Sequence, residues 1–259
     1  MHEAFFLPDG DGFVATPLAR GPWHPDLAHG GPPAALLARA VERLPADGPG
    51  QVVRFTVDLL RPVPLGRVEV AASVVRAGRA AQVLEATLTA GGKPCFRATA
   101  VRLRMADVPL PPREPPGPTL PAPEGCPAWE FPFFRAPVGY HTAMDLRLAA
   151  GEFGRGAMAA WMRMRQPLVA GEAPSPLQRV LVAADAGSGV GLALDTERYT
   201  FVNADLTVHL HRPLEGEWVG VDATTVAWES GIGSTGSTLH DPRGPIGRGL
   251  QSLVVEARA

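Results

Sequence analysis

Residues 177–194 read LQRVLVAADAGSGVGLAL. Ser175 and Pro176 come just before, a hydroxyl suited to cap a helix and a proline suited to its first turn. The spacing predicts a helix through the run. Leu177, Val180, Leu181, Val182, Ala183, Ala184 and Ala186 leave it almost no polar face, so it is expected to be buried on most sides. A sheet wrapped around the helix meets that demand. Asp185 breaks the pattern, in the middle of the apolar run. A carboxylate there is costly unless it is hydrogen-bonded or paired. It is expected either to do chemistry or to bond the backbone or an arginine.

Working outward, the helix is followed by FVNADLTVHLHRP (201–213), EWVGVDATTVAWES (217–230), GIGSTGSTLHD (231–241) and RGLQSLVVEAR (248–258). These are strand-like, with the glycines of 231–236 reading as a turn. The first half of the chain repeats the order. His29-Gly30-Gly31-Pro32-Pro33 opens the apolar run AALLARAVERL, in which Leu36, Leu37, Val41 and Leu44 keep helical spacing. Then come VVRFTVDLLRP, RVEVAASVVRAG and AAQVLEATLTAGGKPCFRATAVRLR, the last with a hairpin signal at Gly91-Gly92. Leu60-Arg61-Pro62 falls opposite His211-Arg212-Pro213, and Val68-Glu69-Val70 opposite Val219-Gly220-Val221. A helix followed by antiparallel strands, twice, is an internal duplication of α+β units. Between the halves, Pro109 to Pro127 is crowded with proline, which fixes φ and lacks a donor. It reads as an extended linker. The expected organisation is 1–108, a linker at 109–136, and 137–259.

Composition narrows the class. Of 259 residues 46% are hydrophobic and 19% charged, which argues for a globular core and against disorder. The net charge of -2 leaves no basic excess for nucleic acid. Cys95 and Cys126 form no Cys-x-x-Cys pair or Cys/His cluster and read as reduced thiols. The start, MHEAFFLPDGDG, lacks the apolar run of a signal peptide, and no stretch is long enough to span a bilayer. The chain is expected to be cytoplasmic.

Beyond Asp185, four places stand out. Asn203 lies in FVNADLTVHL, where alternation puts Asn203, Asp205, Thr207 and His209 on one face. Gln251 is an amide in an otherwise apolar strand, either able to direct a water or facing outward. Gly30 and Gly31 stand at a helix start, where free N–H groups and the helix dipole favour a developing oxyanion, although a tight turn entering the helix is the simpler reading. His29 beside them either lines a pocket or is structural. Arg61, Arg79 and Arg212 are cations available to phosphate, and His209-x-His211 lacks a third ligand for zinc.

In this order the Gly-Gly before the first helix, the Leu-Arg-Pro and His-Arg-Pro strand ends, Asp185 in the second helix and Gln251 in the last strand resemble the double-hotdog acyl-CoA thioesterase family, the thioesterase II group. The resemblance implies an α+β double hotdog, two antiparallel sheets each wrapped around a central helix. It implies hydrolysis of acyl-CoA to a free acid and CoA, within fatty acid metabolism, with no metal or redox cofactor. The family's Asp falls on Asp185 and its Gln on Gln251. Its Thr or Ser position falls on Asn203, a departure that exchanges a hydroxyl for an amide. His29, Gly30 and Gly31 are the implied substrate contacts. Further assembly into homo-oligomers is compatible with the family. Two rivals stay open: a hotdog hydratase or dehydratase, and a non-catalytic acyl-CoA or lipid binder. No Gly-x-Ser-x-Gly elbow, Walker A or dinucleotide fingerprint is present.

Overall fold

The computed structural model of the chain describes residues 3–111, 117 and 119–258. In the first half a hairpin, β1 (Phe6–Asp9) and β2 (Gly12–Ala15), precedes helix α1 (Gly31–Glu42). Strands β3 (Gly50–Leu59), β4 (Gly66–Arg76), β5 (Ala81–Ala90) and β6 (Lys93–Arg104) follow. The second half has a short helix α2 (Tyr140–Ala143), a hairpin of β7 (Met144–Gly151) and β8 (Ala157–Met164), and helices α3 (Pro176–Ala184) and α4 (Gly187–Val190). It ends with β9 (Tyr199–Asn203), β10 (Asp205–Leu210), β11 (Val219–Ala227), β12 (Ile232–Asp241) and β13 (Gly244–Ala257). Hairpins β1–β2 and β7–β8 come ahead of the helices and lie outside the repeated sequence signals.

The strands form one sheet in the order β1-β2-β4-β5-β6-β3-β10-β13-β12-β11-β8-β7, with β9 beside β13. The order is palindromic about β3 and β10. There Thr56 pairs with Thr207, and their hydroxyls lie 3.2 Å apart. The interval from Thr56 to Thr207 equals that from Pro62 to Pro213 and from Val68 to Val219. At the centre Thr56 therefore meets its own duplicate, and the neighbouring pairs are arranged symmetrically about it. This register corrects the expectation of two separate sheets. Backbone hydrogen bonds between β3 and β10 join both halves edge to edge, and joining removes two open strand edges.

Three further expectations are corrected. The helix predicted through 177–194 stops at Ala184, and a separate single turn follows at Gly187–Val190. The stop frees the main-chain oxygen of Asp185, which two side-chain amides then take (below). The single alternation predicted across 201–210 is broken at Ala204. Leu253 pairs with Asn203 while Leu250 pairs with Thr207, so β9–β10 carries one residue more than β13. This bulge changes the phase. Phe201 and Asn203 turn inward before it, and Leu206, Val208 and Leu210 after it. Finally, Ile232–Gly236, read as part of a turn, belongs to β12. Gly233 keeps the strand clear of Val226 O, which a Cβ would approach to 2.9 Å.

Of the proline-rich segment, residues 112–116 and 118 lie outside the described residues. Residues 121–136, read as linker, pack on the second half. Trp161 Nε1 donates to Pro121 O at 2.7 Å, and Trp129 N donates to Leu146 O at 3.0 Å. Among the described residues, no helix is long and apolar enough to cross a membrane.

Helices α1 and α3 run antiparallel inside the curved sheet. Gly31 lies against Val182, and Glu42 at the other end lies against Ser175 and Gln178. A Cβ on Gly31 would stand 2.6 Å from Val182 O, so the helices approach this closely only because Gly31 has none. Gly31→Ala gains about 0.5–1 kcal/mol of helix propensity. It loses about 1–3 kcal/mol to overpacking. Net destabilisation is expected in urea unfolding, and an unchanged or raised midpoint would contradict this account of the helix contact.

Candidate active site

Where α3 stops, its last carboxylate meets the first turn of α1. Asp185 is 4% exposed. Its Oδ2 lies 3.0 Å from His29 Nδ1, and its Oδ1 accepts from Asn203 Nδ2 at 2.8 Å. Asn203 Nδ2 also donates to the Asp185 main-chain oxygen at 3.0 Å. Gln251 Nε2 donates to the same oxygen at 2.9 Å. Gly30 touches the carboxylate so closely that a Cβ would sit 2.7 Å from Oδ2. The structure thus brings Asp185, Asn203, Gln251, His29 and Gly30 into one cluster, from α3, β9, β13 and the loop before α1.

The five do not stand alike toward open space. Asp185, Asn203, His29 and Gly30 border a cavity of about 280 Å³; Gln251 and Gly31 do not. Gln251 is turned inward, so the outward-facing alternative fails, and its Oε1 is buried without a hydrogen-bond partner among the described residues. Gly31 spends its N–H on His29 Nδ1 at 3.1 Å. Both hydrogens of the Asn203 amide point to Asp185, while its oxygen accepts from Ser188 Oγ at 2.9 Å. The amide therefore holds the carboxylate and the broken helix end together.

His29 Nδ1 lies between an N–H donor and a carboxylate. Unprotonated, it accepts from Gly31; protonated, it donates to Asp185. Its ring stacks on Tyr140 at 3.9 Å between centroids and 5° between planes. The Tyr140 hydroxyl donates to Val182 O at 2.8 Å. Burial pulls the His29 pKa below the ordinary histidine range, and Asp185 offsets part of that. Burial, and then the nearby Asp185 charge, hold the Tyr140 phenol well above its ordinary value. His29 is thus kept mainly neutral, and Tyr140 is a neutral hydrogen-bond donor.

Aromatic rings form much of the cavity wall: Trp23, Phe96, Phe131, Phe133, Phe134 and Phe201. Trp23 stacks on Phe133 at 5.9 Å and meets Phe201 edge-on at 4.8 Å. Phe131, Phe133 and Phe134 come from the segment read as linker, as do none of the expected site residues. Their sequence signal is the aromatic run FPFF beside the prolines. Tyr140 and Ser188 carry no local signal. Of the three arginines, Arg61 borders the cavity. Arg212 is committed to Asp241, with Nη2 to Oδ1 at 2.7 Å, and Arg79 lies elsewhere. The arrangement offers a hydrogen-bonded carboxylate on the wall of a largely apolar hole. Such a site suits an uncharged carbonyl on an apolar chain.

Comparison with known proteins identifies the fold and the family. No curated protein matches the chain in sequence. Among solved structures, a hot dog fold protein of unknown function from Alicyclobacillus acidocaldarius superposes with a TM-score of 0.74 at 20% identity, covering 98% of this chain and 96% of that one. A Thermobifida fusca protein, provisionally assigned as a thioesterase II, gives 0.75 at 19% identity, covering 97% and 95%. The acyl-CoA thioesterase II TesB2 of Mycobacterium marinum gives 0.68 at 14% identity, covering 97% and 94%. These likenesses establish the hotdog fold. The family models for the acyl-CoA thioesterase N-terminal and C-terminal domains match residues 19–103 and 121–255 in order. Together they span both helices, the carboxylate cluster and its cavity, and the chain accordingly belongs to the acyl-CoA thioesterase family and is a thioester hydrolase.

Proposed function

We propose that the protein hydrolyses acyl-CoA with water activated by Asp185. The observation that carries this reading is the Asp185 carboxylate, held on one oxygen by Asn203 and with His29 Nδ1 3.0 Å from the other, at the wall of an apolar cavity. A water beside it gives a proton to the carboxylate while its oxygen attacks the thioester carbon. The carbonyl oxygen gains charge facing the positive end of α1, at Gly30. Collapse breaks the C–S bond. The proton returns to the leaving sulfur, and the products are a free acid and CoA. Asn203 and Gln251 position Asp185 through its side chain and main chain. The aromatic wall takes the acyl group. A cytoplasmic setting in fatty acid metabolism is the reading that goes with this substrate.

Asp185→Asn keeps an acceptor for Asn203 and removes the base. Thiol release from a panel of short, long and aromatic acyl-CoAs is expected to fall by about 100-fold or more. Retained turnover would rule out Asp185 as the base. Tight binding of acyl-CoA with no thiol release in wild type would instead support the non-catalytic binder. Gly30→Ala drives a methyl group against the carboxylate. It is expected to lower turnover while leaving most of the fold's stability, read by thiol release and thermal unfolding together.

His29 also predicts a pH dependence of stability. Its folded pKa is lowered from 6.5 by burial. Between that lowered value and 6.5 the unfolded chain binds the extra proton, so stability rises with pH through the window. The contribution is complete above pH 6.5 and is lost as the pH falls through the folded value. His29→Gln does not titrate there, so its urea midpoint should depend less on pH than the wild type's. Equal slopes would remove His29 as the source.

A further inference from the structure

We infer that the chain holds a second acyl-chain pocket, the duplicate of the first, that binds without hydrolysing. The identity of its occupant rests on the thioester reading of the first cavity. A cavity of about 370 Å³ opens at the opposite end of the α1–α3 pair. The first cavity is bordered by Leu59, Pro62, Val63, Phe201, Val202 and Asn203. Advanced or set back by the interval that relates Thr56 to Thr207, these become Leu210, Pro213, Leu214, Gly50, Gln51 and Val52. All six border the second cavity. The interval is structural as well as numerical. Leu84 pairs with Ala100 as Thr235 pairs with Gln251, and Ala81 with Leu103 as Ile232 with Val254. The two cavities are therefore the same place in two copies of one fold.

The copies differ in chemistry. Val52 stands where the first site has Asn203, and Ala100 stands where it has Gln251. Glu42 closes α1 much as Asp185 closes α3, again facing the other helix's first turn. Its oxygens, however, both accept from Ser175 Oγ at 2.8 Å, and Oε2 accepts from Gln178 Nε2 at 2.9 Å. The carboxylate is committed to capping α3. Arg102 is equally committed, donating to the main-chain oxygens of Val41, Leu44 and Pro45. Neither group is left to activate water or to bind an anionic head group.

The rest of the wall is largely apolar, with Val52, Leu177, Leu210, Leu214 and Met105. Pockets that are mostly apolar with a few fixed polar groups take up apolar ligands. The ligand class is a saturated acyl chain, brought either on CoA or as the free acid, with its head group outside.

The test is calorimetric titration of the full chain with decyl-CoA thioether, which cannot be hydrolysed, and separately with decanoate. Wild type is expected to bind two chains of one or the other. Val52→Phe and, independently, Leu214→Trp fill the second cavity and should lower the count to one, with thiol release unchanged. The ligand that loses its second site identifies the source. One site in wild type for both ligands overturns the inference, as do two sites that survive both fillings. Failure of the thioester reading is separate: thiol release would persist in Asp185→Asn while the count stayed at two.

Discussion

Gly31 lacks a side chain, and the carbonyl oxygen of Val182 stands only 2.6 Å from where its Cβ would be. The site depends on this approach. It brings the first turn of α1 against the last turn of α3, and so places Gly30 and His29 on the carboxylate of Asp185. Tyr140 reinforces the arrangement from the side, bonding Val182 O with its hydroxyl and stacking its ring on His29. A buried carboxylate would be unfavourable by itself. Here it gains a donor on one oxygen and an imidazole on the other.

The broken helix is the second constraint. Continued as one helix, the 177–194 run would use the Asp185 main-chain oxygen within itself. Stopping at Ala184 leaves that oxygen to Asn203 and Gln251. The two amides therefore connect the sheet to the helix end. This gives a physical meaning to an amide at the position where the family has a hydroxyl. One nitrogen of Asn203 reaches both the side chain and the main chain of Asp185, which a single hydroxyl hydrogen cannot do. The bulge at Ala204 is required for it, since unbroken alternation would have sent Asn203 to the face of Asp205.

Duplication explains the rest of the architecture. The palindromic strand order and the Thr56–Thr207 pair follow from two copies joined edge to edge. The copies share a backbone but not their polar residues. One end of the helix pair has a carboxylate facing a cavity, supported by amides. The other has a carboxylate spent on a helix cap, beside valine and alanine. Burial makes this divergence possible, because each end is shaped by side chains from four different elements and can change without disturbing its counterpart.

The amino-acid sequence by itself determined the repeated order of helix and strands, the burial of the second helix and the singular position of Asp185. Each is a local pattern, set by periodicity, turn residues or one charge in an apolar run. Asn203, Gln251, His29, Gly30 and Gly31 were legible as candidates, through the family's spacing of motifs. Only the tertiary structure decided how they act together. It joined two sheets into one, because strand edges pair with whatever edge packing presents. It moved Asn203 to the inner face through a bulge that alternation does not announce. It took Gly31 and Gln251 off the cavity wall, since Gly31 packs against Val182 and Gln251 binds the main chain of Asp185, both distant in sequence. It also made the segment after the prolines part of the pocket, because Phe131, Phe133 and Phe134 have somewhere apolar to go only once both halves have closed around them.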